Sequence, residues 1–119
     1  MKAILLVSHG SHTPKTKEEV SLLANILRQR FPSVIVELAF LEIESPNISE
    51  GIDICAFQNA IQIVVTLNFL NSGRHVDEDI PAIVLAAQEK YPQIQFSITK
   101  PIGQHPKISN LFFDLINDT

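Results

Sequence analysis

Hydrophobic and polar positions alternate along this chain in two rhythms, one suited to strands and one to helices. Ala3 to Val7 is a short continuous apolar run, which predicts a strand covered on both faces. Thr16-Lys17-Glu18-Glu19 has the form of a capping box, with Thr16 as N-cap and Glu19 reaching back. Val20, Leu23, Ala24 and Leu27 follow at helical spacing, and Phe31-Pro32 closes that helix. Val34, Val36, Leu38 and Phe40 then alternate with Ile35, Glu37, Ala39 and Leu41, a strand with one face less buried and so nearer an edge. Ser45-Pro46 predicts the next helix start, a cap followed by proline at the first helical position, with Ile48, Ile52 and Cys55 along one face.

Ile61 to Leu67 is the second continuous apolar run and predicts a second strand of the buried kind. Ile83, Val84 and Ala87 mark a helix that ends around Tyr91-Pro92 and must hold Pro81 in its first turn, because a later proline would break it. Ile94, Phe96 and Ile98 alternate with Gln95, Ser97 and Thr99, a second edge pattern. Pro106 opens a last helix with Ile108, Leu111, Phe112 and Leu115 on one side. Strand and helix thus alternate four times without repeat or linker, so residues 1–119 read as one α/β domain. The continuous runs belong in the middle of a four-stranded parallel sheet and the alternating ones at its edges. Right-handed crossovers give the order 2-1-3-4 in a flavodoxin-like three-layer αβα sandwich, with helices on both faces. The chain reverses direction between strands 1 and 3, which puts a crevice over their carboxyl ends. His9 and His75 leave those two ends.

Composition narrows the chemistry. A chain of 119 residues, 45% of them hydrophobic, can build a core and hide further apolar surface in an oligomer. The net charge of −4 argues against wrapping nucleic acid or coating an anionic membrane. Cys55 stands alone, so neither a disulfide framework nor a thiolate metal site is available. Met1-Lys2 runs straight into the first strand without a cleavage site, and no run is long enough to span a membrane, so the expected location is cytoplasmic. Walker A, GxGxxG and nucleophile-elbow motifs are missing, which leaves nucleotide-driven chemistry and serine hydrolysis without support.

Neutral imidazoles bind borderline divalent metals and accept protons near neutral pH. One histidine alone reads as a surface or core residue, whereas two at neighbouring strand ends of a switch point read as a site. His75 is expected just before or within the first turn of its helix. Glu42, leaving strand 2, and Asp77, Glu78 and Asp79 could supply oxygen ligands, although acids also favour helix N-termini for electrostatic reasons alone. His12 falls in a loop and His105 before Pro106 reads as a helix-entry residue. Five of the nine basic residues, Lys15, Lys17, Arg74, Lys100 and Lys107, fall in or near the loops at this edge of the sheet, which suits an anionic ligand.

Ser8-His9-Gly10-Ser11, Phe40-Leu41-Glu42 with Pro46, Glu50-Gly51-Ile52, Phe69-Leu70 with Gly73-Arg74-His75-Val76, Asp79-Ile80-Pro81, and Pro101-Ile102-Gly103 with His105-Pro106 run in order along nearly the whole chain. This series resembles the small class II chelatases, the short sirohydrochlorin chelatases of the CbiX type, related to SirB. The resemblance implies ATP-independent insertion of cobalt, iron or nickel(II) into sirohydrochlorin, towards cobalamin, sirohaem or related tetrapyrroles. It implies His9 and His75 as the catalytic pair, with Glu42 beside them for the metal. It also implies a homodimer with the crevice between subunits, each chain matching one half of the longer two-domain enzymes. A tetrapyrrole there would meet Ser8, Gly10 and Gly73, lie against Phe69 and Leu70, and offer its carboxylates to Arg74. Asn68 departs from the small or apolar residue more usual in the family, and the chain stops soon after its last helix.

Two other functions fit parts of the pattern. A histidine-nucleophile phosphohydrolase also opens on a strand leading into His-Gly, but needs an arginine before that histidine where this chain has Ser8. A non-catalytic metal or tetrapyrrole carrier would use the same pocket without turnover.

Overall fold

The computed structural model describes residues Met1–Thr119. Strand β1, Lys2–Ser8, is buried from Ala3 onward, as its unbroken apolar run requires. Helix α1 follows at Pro14–Arg30, then β2 at Ile35–Phe40, α2 at Ile48–Phe57, β3 at Gln62–Leu67, α3 at Ile80–Lys90, β4 at Gln95–Ile98 and α4 at Ile108–Asn117. The four strands are parallel and lie in the order β2-β1-β3-β4. This is the expected sheet, with the alternating strands at its edges. β4 is the shortest strand, and none of its residues is fully buried.

One face of the sheet carries α2 and α3. Ala3, Leu5 and Val7 meet Ile63, Val65 and Leu67 there, beneath Ile48, Ile52 and Cys55 of α2 and Ile80 and Val84 of α3. Asp53 of α2 ties that layer together, accepting hydrogen bonds from the Tyr91 hydroxyl and from Lys90 Nζ. The Tyr91 bond holds the Asp53 carboxyl below the usual carboxylate range, opposed by desolvation and helped by Lys90. The opposite face is covered less completely. Val20 and Ala24 of α1 pack on Ile4, Leu6 and Val36, over β1 and β2 only.

Several boundaries differ from those the sequence predicts. α1 starts at Pro14 with Thr13 as N-cap, rather than at a Thr16 box. Proline at the first helical position has its φ preset and no N–H to satisfy, so the helix starts three residues before Lys17, where a Thr16 cap would open it. α2 is capped by Asn47, not Ser45: the Asn47 side chain accepts from Glu50 N–H, and the Glu50 carboxylate accepts from Asn47 N–H. The last helix begins at Ile108 rather than at Pro106. β3 is buried on one face only, because its Val64 and Thr66 point to the side that α1 does not reach. α4 does not fill that gap; it has no buried residue and packs within the chain mainly on the 3₁₀ turn Ile102–Gln104. The molecule is drawn out accordingly, to 48 × 33 × 30 Å.

Candidate active site

The backbone pairing of the strands builds the site. Beyond the last β1–β2 rung, Ser8 opposite Phe40, the pairing runs on as Leu41 N–H to Ser8 O and Glu42 N–H to His9 O. That continuation sets Glu42 beside His9. Gly10 allows it, with φ +101°, because a Cβ at this position would run into the Glu42 carbonyl. On the other side Asn68 N–H donates to Val7 O, and the Asn68 amide donates to Ser8 Oγ at 3.1 Å. Ser8 is the one buried polar residue of the chain, and this bond satisfies it. Asn68, the departure from the family pattern, therefore braces the floor between β1 and β3.

His75 arrives from β3 through the 68–74 loop. It opens a π-helical turn, His75–Asp79, that runs directly into α3 and is closed by Ile80 N–H bonding to His75 O. The turn sets Asp79 beneath His75, whose Nδ1 lies 2.8 Å from Asp79 Oδ2. His9 Nε2 lies 2.7 Å from Glu42 Oε1. The two imidazoles meet edge to face with centroids 5.7 Å apart, and the Phe69 ring stands 6.4 Å from His9 in the same manner. Each neutral imidazole thus donates one N–H to its own carboxylate and keeps a lone pair on the other nitrogen. Both side chains are about half exposed, 51% and 49%. The pair sits on an open shelf, and neither ring lines any of the cavities of the chain.

The other candidate residues divide. Phe69 is half-buried against the core, while Leu70 is largely exposed beside the shelf. Gly73 has open space where a Cβ would lie. Arg74 is mostly exposed and pairs loosely with Glu78 at 3.6 Å. His12 is exposed, and His105 accepts from Lys107 N–H through Nδ1, the helix-entry role its place before Pro106 predicts. The basic residues do not converge. Lys17 reaches Ser45 O and lies over the Phe40 ring, while Lys100 and Lys107 line clefts near α4. Glu42 is engaged by His9, and no three His, Cys, Asp or Glu side chains cluster so as to hold a metal ion. The pairing of Asp79 with His75 was the detail missed. Its signal was the i,i+4 spacing, which brings two side chains together on one helical face.

A parallel α/β sheet with paired polar residues at its switch point defines a ligand-binding class whose site lies over the strand ends. The CbiX family model matches residues 3–119, and the chain belongs to that family. It is 38% identical over 105 residues to the sirohydrochlorin cobaltochelatase of Priestia megaterium, a match covering 88% of this chain and 34% of that one. It is 32% identical to the sirohydrochlorin cobaltochelatase of Methanosarcina acetivorans, covering 97% of this chain and 94% of that one. Among solved structures it is similar to the cobalt complex of the sirohydrochlorin chelatase SirB from Bacillus subtilis subspecies spizizenii, with TM-score 0.88 and 31% identity over 98% of this chain and 50% of that one. The chain therefore spans half or less of the length of several of these relatives and nearly all of others. No helix is long and apolar enough to cross a membrane.

Proposed function

We propose that this chain is a metal chelatase that inserts Co²⁺, Fe²⁺ or Ni²⁺ into sirohydrochlorin without ATP, in cobalamin- or sirohaem-type tetrapyrrole synthesis. One observation carries the reading: two imidazoles from neighbouring strand ends lie 5.7 Å apart, each held by its own carboxylate. The family membership and the names of the relatives agree with it.

Insertion exchanges two pyrrole N–H protons for one divalent ion, so two bases and a temporary metal holder are needed. His9 and His75 can each take one proton on the nitrogen that faces away from its carboxylate. The same lone pairs can hold the ion before it passes to the macrocycle, with Glu42 as an oxygen donor once released from His9. Because both rings are half exposed, the protons can then leave to water. Phe69 and Leu70 would face the flat apolar ring. Ser8, Gly10 and Gly73 would let it approach the backbone, and Arg74, freed from Glu78, would meet its carboxylate rim. Imidazole accepts all three metals, so the metal used is set by supply as much as by the site.

The shelf is open on one side, which suits a homodimer that closes the crevice between two copies, each acting as one half of the longer form. Its partners are then the tetrapyrrole and a second copy, with neither nucleic acid nor membrane involved, and the acidic charge together with the lack of a membrane-spanning helix suits work in the cytoplasm. The test is an absorbance assay of sirohydrochlorin with each metal in turn, for the wild type and His75→Ala. The wild type should accelerate insertion, and His75→Ala should lose about 100-fold or more while its circular dichroism is unchanged. Binding without acceleration would make the chain a carrier, and full activity in His75→Ala would remove that residue from the mechanism.

A further inference from the structure

Ile43 is the residue least suited to where it sits. It has φ +73°, in the left-handed region, and Glu44 N–H donates to Glu42 O at 2.8 Å across it. A bond over three residues at that φ closes a γ-turn of the strained form, and a β-branched side chain adds to the strain by crowding its own backbone. Elsewhere the chain meets the same demand with residues that tolerate it: Gly10 has φ +101°, and Asn59, after α2, has φ +68°. Burial does not compensate either, because Ile43 is 52% exposed. Neither the turn nor the surrounding water favours isoleucine here.

The turn is nevertheless held on both sides. Before it, Glu42 N–H donates to His9 O at 3.1 Å; after it, the Glu44 carboxylate accepts from Ser11 N–H at 3.0 Å. The loops that follow β1 and β2 are thus clasped together around Ile43. A Cβ on Gly10 would lie 3.6 Å from the Cβ of Ile43, so the two residues stand against each other. Ile43 follows Glu42 and Gly10 follows His9, which places Ile43 one residue from each member of the His9–Glu42 pair. On the other side of His9, towards β3, come Phe69 and His75, with Leu70 exposed to 64%. β1 lies between β2 and β3, so the histidine pair has an exposed aliphatic side chain on each flank, Ile43 from the β2 side and Leu70 from the β3 side.

We infer that Ile43 is a substrate-contacting residue, whose γ-turn presents an aliphatic side chain to the flat apolar face of the tetrapyrrole on the side of the histidine pair opposite Leu70. This rests on the chelatase reading above and adds to it a second apolar wall. The occupant must cover two separated aliphatic groups at once and still leave the imidazoles between them within reach of its centre. A macrocycle with its carboxylates at the rim meets both conditions. Backbone strain at functional sites persists where the surroundings over-determine it, and the clasp around Ile43 does so. Contact with the macrocycle then takes the isoleucine side chain out of water, a gain made on binding and not on folding. The clasp has a further effect. With the backbone fixed and χ1 stiff at a β-branched residue, the side chain has little freedom left to lose when the ligand arrives.

The test takes Ile43→Asn and Ile43→Gly in the full chain. Both are read by thermal melting at one protein concentration, by absorbance titration with sirohydrochlorin, and by titration with Co²⁺ alone. Asparagine suits positive φ, so Ile43→Asn should melt roughly 4 °C above the wild type. Ile43→Gly relieves the same strain but loosens the unfolded chain, and should melt close to the wild type. Both variants should bind sirohydrochlorin about 10-fold more weakly and Co²⁺ as before. A chain that gains stability while losing tetrapyrrole affinity is an outcome that a merely structural residue would not give. Unchanged sirohydrochlorin affinity in both variants would overturn the inference and leave the chelatase reading standing. Melting well below the wild type in both would do the same, since the isoleucine would then be supporting the fold. An equal loss of Co²⁺ affinity would make Ile43 a positioning residue for Glu42 and overturn the contact. A wild type that binds no sirohydrochlorin would bring down the inference and the chelatase reading together.

Discussion

Asp79 shows how one side chain can govern another without touching a ligand. Its carboxylate accepts from His75 Nδ1–H and so keeps the lone pair of that ring on Nε2. An asparagine there can turn its NH₂ towards Nδ1 instead and stabilise the opposite tautomer. Asp79→Asn should therefore lower kcat by about 10- to 100-fold with little change in KM for the tetrapyrrole. The ¹⁵N shifts of His75 should report the altered tautomer, and an unchanged kcat would mean that Asp79 only supports the helix. Much at this scale was legible from the sequence, because His9 and His75 follow the two continuous apolar runs and the sheet order brings such ends together. The partner of each histidine was not. Glu42 depends on a backbone pairing that continues past β2. The i,i+4 spacing of His75 and Asp79 tells only once helical geometry is known to reach back to His75, which apolar spacing does not signal.

Among the elements, the division into strands and helices matches the structure, and Pro81 lies in the first turn of α3 as predicted, whereas the starts of α1, α2 and α4 differ. Periodicity over a long segment reports strand or helix, and burial depends on what covers each face: β2 is buried on both faces at its ends and β3 on one. A helix start depends on one or two residues in competition. Pro14 takes precedence over the Thr16 box, and the Asn47–Glu50 pair takes the capping role that Ser45 seemed to offer. The tie between α2 and α3 makes a prediction at this scale. Tyr91 and Lys90 hold the Asp53 carboxyl below its ordinary value of 3.8. The stabilisation is therefore present above that value and is lost as pH falls through the lower folded-state value. The same bond, accepted by Asp53, raises the Tyr91 hydroxyl above its ordinary 10.0, so that contribution is full below 10.0 and is lost at higher pH. Asp53→Asn should lower the Tm at pH 7 by about 2–5 °C, and the gap to wild type should close in acid below the ordinary carboxylate range. A gap that persists unchanged in acid would mean that packing, not charge, accounts for it.

For the whole molecule, β3 is the informative case. Its continuous run predicts cover on both sides, yet the side facing away from α3 is only half covered within one chain. The pattern describes the strand in its finished surroundings, which the two-copy assembly proposed above would complete. The stability of the chain should then depend on its concentration. Tm should rise by several degrees between about 1 and 100 μM, because a dimer gains by mass action what a monomer cannot. A Tm independent of concentration would indicate a monomer or a dimer too tight to dissociate in that range, and light scattering at 1 μM separates the two.

β4 lies at the outer rim of the sheet, only four residues long, with Gln95 and Ser97 exposed along it. A rim so brief gives an incoming strand few rungs to grip, although Ile98 is exposed on it as well. At high protein concentration, open-ended fibril growth along this edge is thereby disfavoured.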